Sequence, residues 1–298
     1  MASLHDIKRR IRSVRNTRQI TRAMKMVSAA KMRKATERVI SARPYAKSLQ
    51  ALLSGLAARV DAEDAPPLLA HRDRKEILLV VVTGDKGLCG AFNTNVIRAA
   101  THFIADREGE GKRVRLVTIG KKGTDFFRRR KWEIAASWPG LFARFGRQEA
   151  AEIATFLTRA FVGRFDDDGE RVEAPTADAV YVVFNEFKSI IQQNLRTDLL
   201  LPVVAEEDDS GSNGVDYLFE PSAEAILGAI LPRHIEFQLF RILLESAAAE
   251  FGARMTAMDG ATKNAGEMID RLTLHYNRAR QARITKELIE IVSGAAAL

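Results

Sequence analysis

"IKRRIRSVRNTRQITRAMKMVSAAKMRKA", residues 7–35, decides how this chain is read. Around it, Leu4, Ile7, Ile11, Val14, Thr17, Ile20, Met24 and Val27 follow one another at spacings of 3, 4, 3, 3, 3, 4 and 3. That is the seam of a coiled-coil helix with one three-residue stammer near Thr17, which overwinds the coil locally. On a helix, Ile20, Met24 and Val27 share one face, and Arg18, Arg22, Lys25 and Arg33 lie on the other. No glycine precedes Gly55 and the first proline is Pro44. The spacing therefore predicts a helix over 3–43, about 60 Å long at ~1.5 Å per residue. Such a helix outruns a small domain, projects from it, and needs a partner for its seam.

The partner is expected at the other end of the chain. No proline follows Pro232, and Ile235–Gly294 reads as about 60 helical residues, or about 90 Å. Ala265, Ile269, Leu272, Tyr276 and Ala279 are spaced 4, 3, 4 and 3. Gly252, Gly260 and Gly266 each weaken a helix by ~1 kcal/mol, and close approach of a neighbouring helix is the expected compensation. An antiparallel pair made from the two termini follows, with Ile7, Ile11, Val14, Ile20, Val27, Ile269, Leu272 and Tyr276 as its seam.

Between the ends the pattern changes. "EILLVVVTG" (76–84), "RVRLVTIG" (113–120) and "DAVYVVFNEF" (178–187) are buried-strand runs, and "LRTDLLLPVV" (195–204) adds a further strand. "TNVIRAATHFIADRE" (94–108) and "QEAAEIATFLTRAFVGRF" (148–165) have helical spacing. Strands alternating with helices imply crossover units and a mainly parallel, Rossmann-like sheet. "DDDGERVEAP" (166–175) and "EEDDSGSNG" (206–214) read as acidic loops. The fold class is α/β: an N-terminal coiled-coil helix over 1–60, a central domain over 75–205, an acidic linker over 206–220 and a C-terminal coiled-coil helix over 221–298.

Charge is unevenly spread. Residues 1–47 hold fourteen cations against Asp6 and Glu37, a net +12, so with +8 overall the remaining 251 residues carry −4. A basic element expects an acidic partner. A solvated face, a nucleic-acid arm, a membrane-surface helix and a coiled-coil strand all accommodate such a run. A nucleic-acid surface interleaves aromatics for stacking, but residues 1–47 contain only Tyr45. A membrane-surface helix uses Trp, Phe or Leu; here the apolar face is Ile, Val, Thr and Met. The coiled-coil strand fits best, with its outer face toward an acidic protein surface. The longest apolar runs, "ILLVVV" (77–82) and "LLLPVVA" (199–205), fall far short of the roughly 20 residues that span a bilayer.

No catalytic, cofactor or metal site emerges. "TGDKGLCGAFN" (83–93) stands between a strand and a helix, where α/β folds hold phosphates. Its glycines are spaced GxxGxxG, matching neither the dinucleotide fingerprint nor the P-loop, so a tight strand-to-helix turn is expected. "GKKG" (120–123) and "GEGKR" (109–113) are weaker still. Asp166, Asp168 and Glu170 resemble the start of a calcium loop, but Arg171 stands where that loop needs glycine. His5, His71, His102, His234 and His275 form no ligand spacing. Cys89 is the one cysteine, which excludes an intramolecular disulfide and fits a small buried side chain.

Together "IKRRIRSVRNTRQITRAMKMVSAAKMRKA" (7–35), "GDKGLCGAFN" (84–93) and "YNRARQARITKELIEIVSGAAAL" (276–298) resemble the gamma subunit of rotary F-type ATP synthases. The resemblance spans the chain. It implies a non-catalytic rotor shaft: the helix pair sits in a ring of alternating alpha and beta subunits, and the α/β domain meets the epsilon subunit and the membrane-embedded c-ring. Ion flow turns the c-ring and the shaft, and ATP forms on beta; no cofactor is implied for this chain. Carried over by motif, Met24 and Lys25 of "RAMKM", with Arg33, would face the acidic lever of beta. Arg254 of "GARM", Arg280 and Gln281 of "ARQ", and Thr285 would meet beta's catch loops. The end "IVSGAAAL" would sit in an apolar collar, and the lone cysteine leaves no thiol switch. The basic start has the character of a mitochondrial presequence, but it runs past residue 40 without a break. A bacterial protein is therefore expected, peripheral at the cytoplasmic face of the membrane and touching it only through the complex, with no nucleic acid bound. On the residues alone, a basic coiled-coil adaptor for nucleic acid and a nucleotide-binding enzyme using the Gly84 turn stay open.

Overall fold

The computed structural model describes residues 3–57, 66–143, 145–165, 171–189, 192–204 and 222–296. In chain order the elements are α1 (Leu4–Ala57), β1 (Glu76–Val82), α2 (Phe92–Gly109), β2 (Arg113–Ile119), α3 (Lys121–Arg129), β3 (Ile134–Trp138), α4 (Arg147–Val162), β4 (Arg164–Phe165), β5 (Arg171–Glu173), β6 (Ala179–Phe187), β7 (Gln193–Leu201) and α5 (Ala223–Ala296). They form two compact units, Met1–Ala30 with Arg254–Leu298, and Lys31–Ala253. The terminal helices contribute to both.

Both terminal helices run further than the spacing predicts, to 54 and 74 residues. The reason is that each carries a proline inside it, Pro44 in α1 and Pro232 in α5. An interior proline removes one helical hydrogen bond and crowds the preceding turn. Both prolines lie on exposed faces, where a carbonyl that has lost its helical partner is not shut away from solvent.

In the larger unit five strands form a sheet in the order β3-β2-β1-β6-β7. β1 pairs in parallel with β2 and β6, and β2 with β3; β7 runs antiparallel to β6 along nearly its whole length. Alternate residues of β1 point to opposite faces, as a strand requires. Leu78, Val80 and Val82 join a core with α4, the end of α1 and the start of α5. Ile77, Leu79 and Val81 join a second core with α2 and Phe127 of α3. α2 buries Val96, Ala100 and Ile104, one residue per turn. α4 starts at a Gly146 N–H that donates to the Glu149 carboxylate at 2.7 Å.

The central unit differs from the sequence reading in three places. The edge strand β3, "IAASW", is only half-buried, so it lacks the apolar run that marks the central strands. α3, a helix the sequence reading does not place, begins inside "GKKG", which that reading weighs only as a weak phosphate loop. Residues 171–173, read as loop, pair as β5 with β4; Asp166, Asp168, Glu170 and the 206–214 linker lie outside the described residues. The close helix approach expected at the three glycines is absent. Gly260 faces open space, and a Cβ added at Gly252 or Gly266 would meet only ordinary neighbours at 3.4 Å and 3.8 Å.

Cys89 is buried and unbridged, packed with Phe92 and Ala249. A cavity of about 480 Å³ lies beside β7, with Arg196, His234, Gln238 and Arg241 in its wall. The Nδ1 atom of His234 is buried there and meets no hydrogen-bond partner among the described residues. Burial, with Arg241 nearby, pushes the His234 pKa down to about 4.

Candidate functional site: the paired terminal helices

In the smaller unit α1 and α5 run antiparallel. The free end of α1 is held by an apolar cluster in which Ile7, Ile11 and Ile269 are buried, with Val14, Leu272, Tyr276 and Ala279 packed against them. Beyond Val14 the seam turns polar. The Arg18 guanidinium lies beside the bare Cα of Gly266. The hydroxyls of Thr21 and Thr262 share a hydrogen bond of 2.8 Å. The Lys25 ammonium donates to Asp259 at 2.6 Å. Ser28 is buried.

These positions correct the predicted seam. Residues 7, 11, 14, 18, 21, 25 and 28 keep an unbroken 4-3 spacing, so no stammer occurs at Thr17. Ile20 and Val27, placed in the seam by their hydrophobicity, are 60% and 56% exposed. The physical reason is phase. A stammer overwinds the coil, whereas the regular register satisfies Thr21 and Lys25 across the interface. Thr21 and Lys25 tolerate partial burial because each finds a partner across the seam. On α5 the matching seam is Met258, Thr262, Ala265, Ile269, Leu272, Tyr276 and Ala279, again at 4-3 spacing. The polar members Arg18, Thr21, Ser28, Asp259 and Thr262 were missed, although a strict 4-3 count from Ile7 reaches the three on α1.

The residues singled out for contact with a partner fall into two groups. Lys25 is taken up inside the chain, and its hydrogen bond holds the Asp259 carboxyl below the usual carboxylate range. Met24 is half-buried, and Arg254 is buried and engaged within the chain. Arg33, in the larger unit, is exposed and, among the described residues, tied only to Glu37 one turn on. Arg280, Gln281 and Thr285 are exposed, and the Thr285 hydroxyl donates to the Gln281 carbonyl.

From Arg280 to Ser293 every residue of α5 is exposed. Ile284, Leu288, Ile289, Ile291 and Val292 are among them. Arg283 pairs with Glu287 and Lys286 approaches Glu290, each one turn apart. Arg280 makes no ion pair among the described residues. Such a surface can bind, by apolar contact along the helix and by an uncommitted guanidinium. Among the described residues no cluster of His, Cys, Asp or Glu could hold a metal, and no helix is long and apolar enough to cross a membrane.

A family model described as ATP synthase matches residues 3–298. The ATP synthase gamma chain of Geobacter sp. (strain M21) is 50% identical over 295 residues, covering 99% of this chain and 98% of its own. That of Solibacter usitatus (strain Ellin6076) is 50% identical over 300 residues, covering 100% and 99%. Among solved structures, a chain of the central stalk and c-ring of the Tetrahymena thermophila mitochondrial ATP synthase is similar at a TM-score of 0.60 and 26% identity, covering 81% of this chain and 99% of its own. A chain of the Euglena gracilis mitochondrial enzyme shares the fold at a TM-score of 0.67 and 19% identity, covering 99% and 94%.

Proposed function

The chain belongs to the ATP synthase gamma chain family, and on that premise we propose how its parts serve the enzyme. Its role is that of the central rotor shaft of the ATP synthase. In our reading the chain carries no catalytic site of its own. The paired helices turn inside the ring of alpha and beta subunits, and the α/β domain meets epsilon and the c-ring. Ion-driven rotation then changes the conformation of each catalytic beta subunit in turn. The complex sits at the cytoplasmic face of a bacterial membrane, with this chain peripheral and bound to no nucleic acid.

The observation that carries this reading is the bare end of α5. A helix with no neighbour is marginal in water, and contiguous exposed aliphatic residues mark an interaction surface. Five of them follow Ala279, on the segment that also holds Arg280, Gln281 and Thr285. These three, with Arg33 and the half-buried Met24, are the residues proposed to meet beta. Lys25 and Arg254 act inside the chain.

The test is turnover of the assembled complex carrying Arg280→Ala, Gln281→Ala or Arg283→Ala. A charge-assisted hydrogen bond is worth about 1.5–3 kcal/mol, so Arg280→Ala is expected to slow turnover about tenfold or more. Gln281→Ala should slow it less, and Arg283→Ala should leave it near the parent, because Arg283 is already paired with Glu287. Equal rates in all three at equal assembly would contradict the assignment.

A further inference from the structure

We infer that the Asp85 carboxylate is the resident anion of the α/β domain. It fills, from within the chain, the place at the start of α3 where a fold of this kind takes a phosphate, and it positions the turn 86–90 that carries the exposed Leu88.

A helix begins with N–H groups that no residue of the same helix can satisfy, and in α/β folds a phosphate often takes them. In α3 the stretch Thr83-Gly84-Asp85 takes them all. The Lys121 N–H donates to Asp85 Oδ1 at 2.9 Å. The Lys122 N–H donates to the Gly84 carbonyl at 3.1 Å. The Gly123 N–H donates to Thr83 Oγ1 at 2.8 Å. The next donor, Thr124, reaches the Gly120 carbonyl.

Asp85 reaches beyond α3. Its Oδ1 also accepts the Gly140 N–H at 2.7 Å, and its Oδ2 accepts the Phe142 N–H at 2.9 Å. Lys121 follows β2, and Gly140 and Phe142 follow β3. One carboxylate after β1 therefore ties the carboxyl ends of three neighbouring parallel strands, through three N–H groups from two separate segments. Convergent backbone donors of this kind form an anion-binding nest, and here its anion is a side chain.

Two glycines permit this close approach. A Cβ at Gly120 would lie 1.8 Å from the Thr83 carbonyl oxygen, and one at Gly123 would lie 2.8 Å from Thr83 Oγ1. The turn after β1 is pressed against the start of α3 so closely that only glycine fits at 120 and 123. The "GKKG" motif is thus the receptor for the 83–85 stretch.

On the far side of the turn, the Gly84 N–H donates to Asn93 Oδ1 at 2.8 Å, and Asn93 Nδ2 donates to the Lys86 carbonyl. Held at both ends, the turn places Leu88 at φ 62, a conformation a leucine adopts only when its surroundings impose it. Leu88 is 63% exposed.

The experiment uses the full-length chain and follows the amide signals of Lys121, Gly140 and Phe142 by NMR. The probes are sodium phosphate and sodium acetate, with sodium chloride at equal ionic strength as control. In the parent none of the three amides should respond to either probe. In D85A their hydrogen exchange should quicken about tenfold or more, since each loses a bond to a charged acceptor. Phosphate or acetate, but not chloride, should then shift them saturably, slow the exchange again and return the signals of residues 86–90 toward the parent. D85N keeps one carbonyl oxygen for Lys121 and Gly140, so Phe142 alone should lose protection; this variant decides the matter if D85A does not fold. Saturable phosphate shifts in the parent would show the site to be open and overturn the inference. So would parent-like exchange in both variants, or a loss of protection in D85A that no anion restores.

Discussion

Along β1, from Ile77 to Val82, no residue is more than 2% exposed. Along α1, from Thr17 to Ala30, only Thr21 and Ser28 are buried, and both are polar. The sheet is held by area removed from water, which stabilises in proportion to its size and has no preferred direction. The helix pair is held by a narrow seam, apolar at the free end of α1 and hydrogen-bonded further on. Polar pairs in a seam cost stability and fix register. The two regions answer different demands: a scaffold that must not deform, and a pair of helices whose outer faces stay free for partners.

The comparison breaks most visibly at matched aliphatic positions. Leu79→Ala removes a side chain with no exposure, and such truncations typically cost about 2–5 kcal/mol. Ile20→Ala removes one that is 60% exposed, and surface changes usually stay within about 0.5 kcal/mol. Urea unfolding of the two variants measures this directly. Equal losses would mean that Ile20 is a seam residue after all and that the regular register is wrong.

A second effect is confined to the larger unit and depends on pH. His234 titrates at about 4 when folded, against 6.5 ordinarily. Between those values the unfolded chain binds the extra proton, so stability rises with pH in that window. It is complete above about pH 6.5 and falls as the pH drops toward 4, by up to about 3 kcal/mol. His234→Leu should remove that slope. An unchanged slope between pH 7 and pH 4.5 would assign the effect to other groups.

The smallest effect belongs to the polar seam. The Asp259 carboxyl is held low by Lys25, so the pair contributes above the ordinary carboxylate range and fades as the pH falls through the depressed value. Both partners are about two-fifths exposed, and salt screens such pairs. Asp259→Asn should therefore leave stability close to the parent and flatten its dependence on salt. A large loss in unfolding free energy that salt does not reduce would show the pair to be a buried anchor.

How far the sequence could be read follows the same division. β1, β2 and β6 show as apolar runs because they are covered on both faces. β3 does not, because it is a short, half-buried edge strand whose middle is Ala135, Ala136 and Ser137. α3 was hidden by Gly120 and Gly123, whose packing against Thr83 is a tertiary fact. The apolar members of the helix seam, Ile7, Ile11, Val14, Ile269, Leu272 and Tyr276, stand where a 4-3 count puts them. Past Val14 the count and the hydrophobicity diverge, and following the apolar residues Ile20 and Val27 lost the phase. Lys25 looked like an outward cation because its partner, Asp259, lies 234 residues away in sequence. Exposure of Arg280, Gln281 and Thr285 follows from α5 continuing beyond the last residues that pack on α1, which a count along α5 alone does not reveal.

In our reading α1 and α5 act as one shaft, locked in register, with no sliding between them during turnover. Thr21 and Thr262 touch across the seam through their hydroxyls, so cysteines there can be bridged. The measurement is ion-driven ATP synthesis by the reconstituted complex carrying T21C and T262C in a C89S background, before and after oxidation, with bridge formation checked by mass spectrometry. A shaft that turns as a unit predicts the same rate with the bridge closed as with it open. Synthesis that stops on oxidation and returns on reduction would show that the helices must move past one another, and would contradict the account.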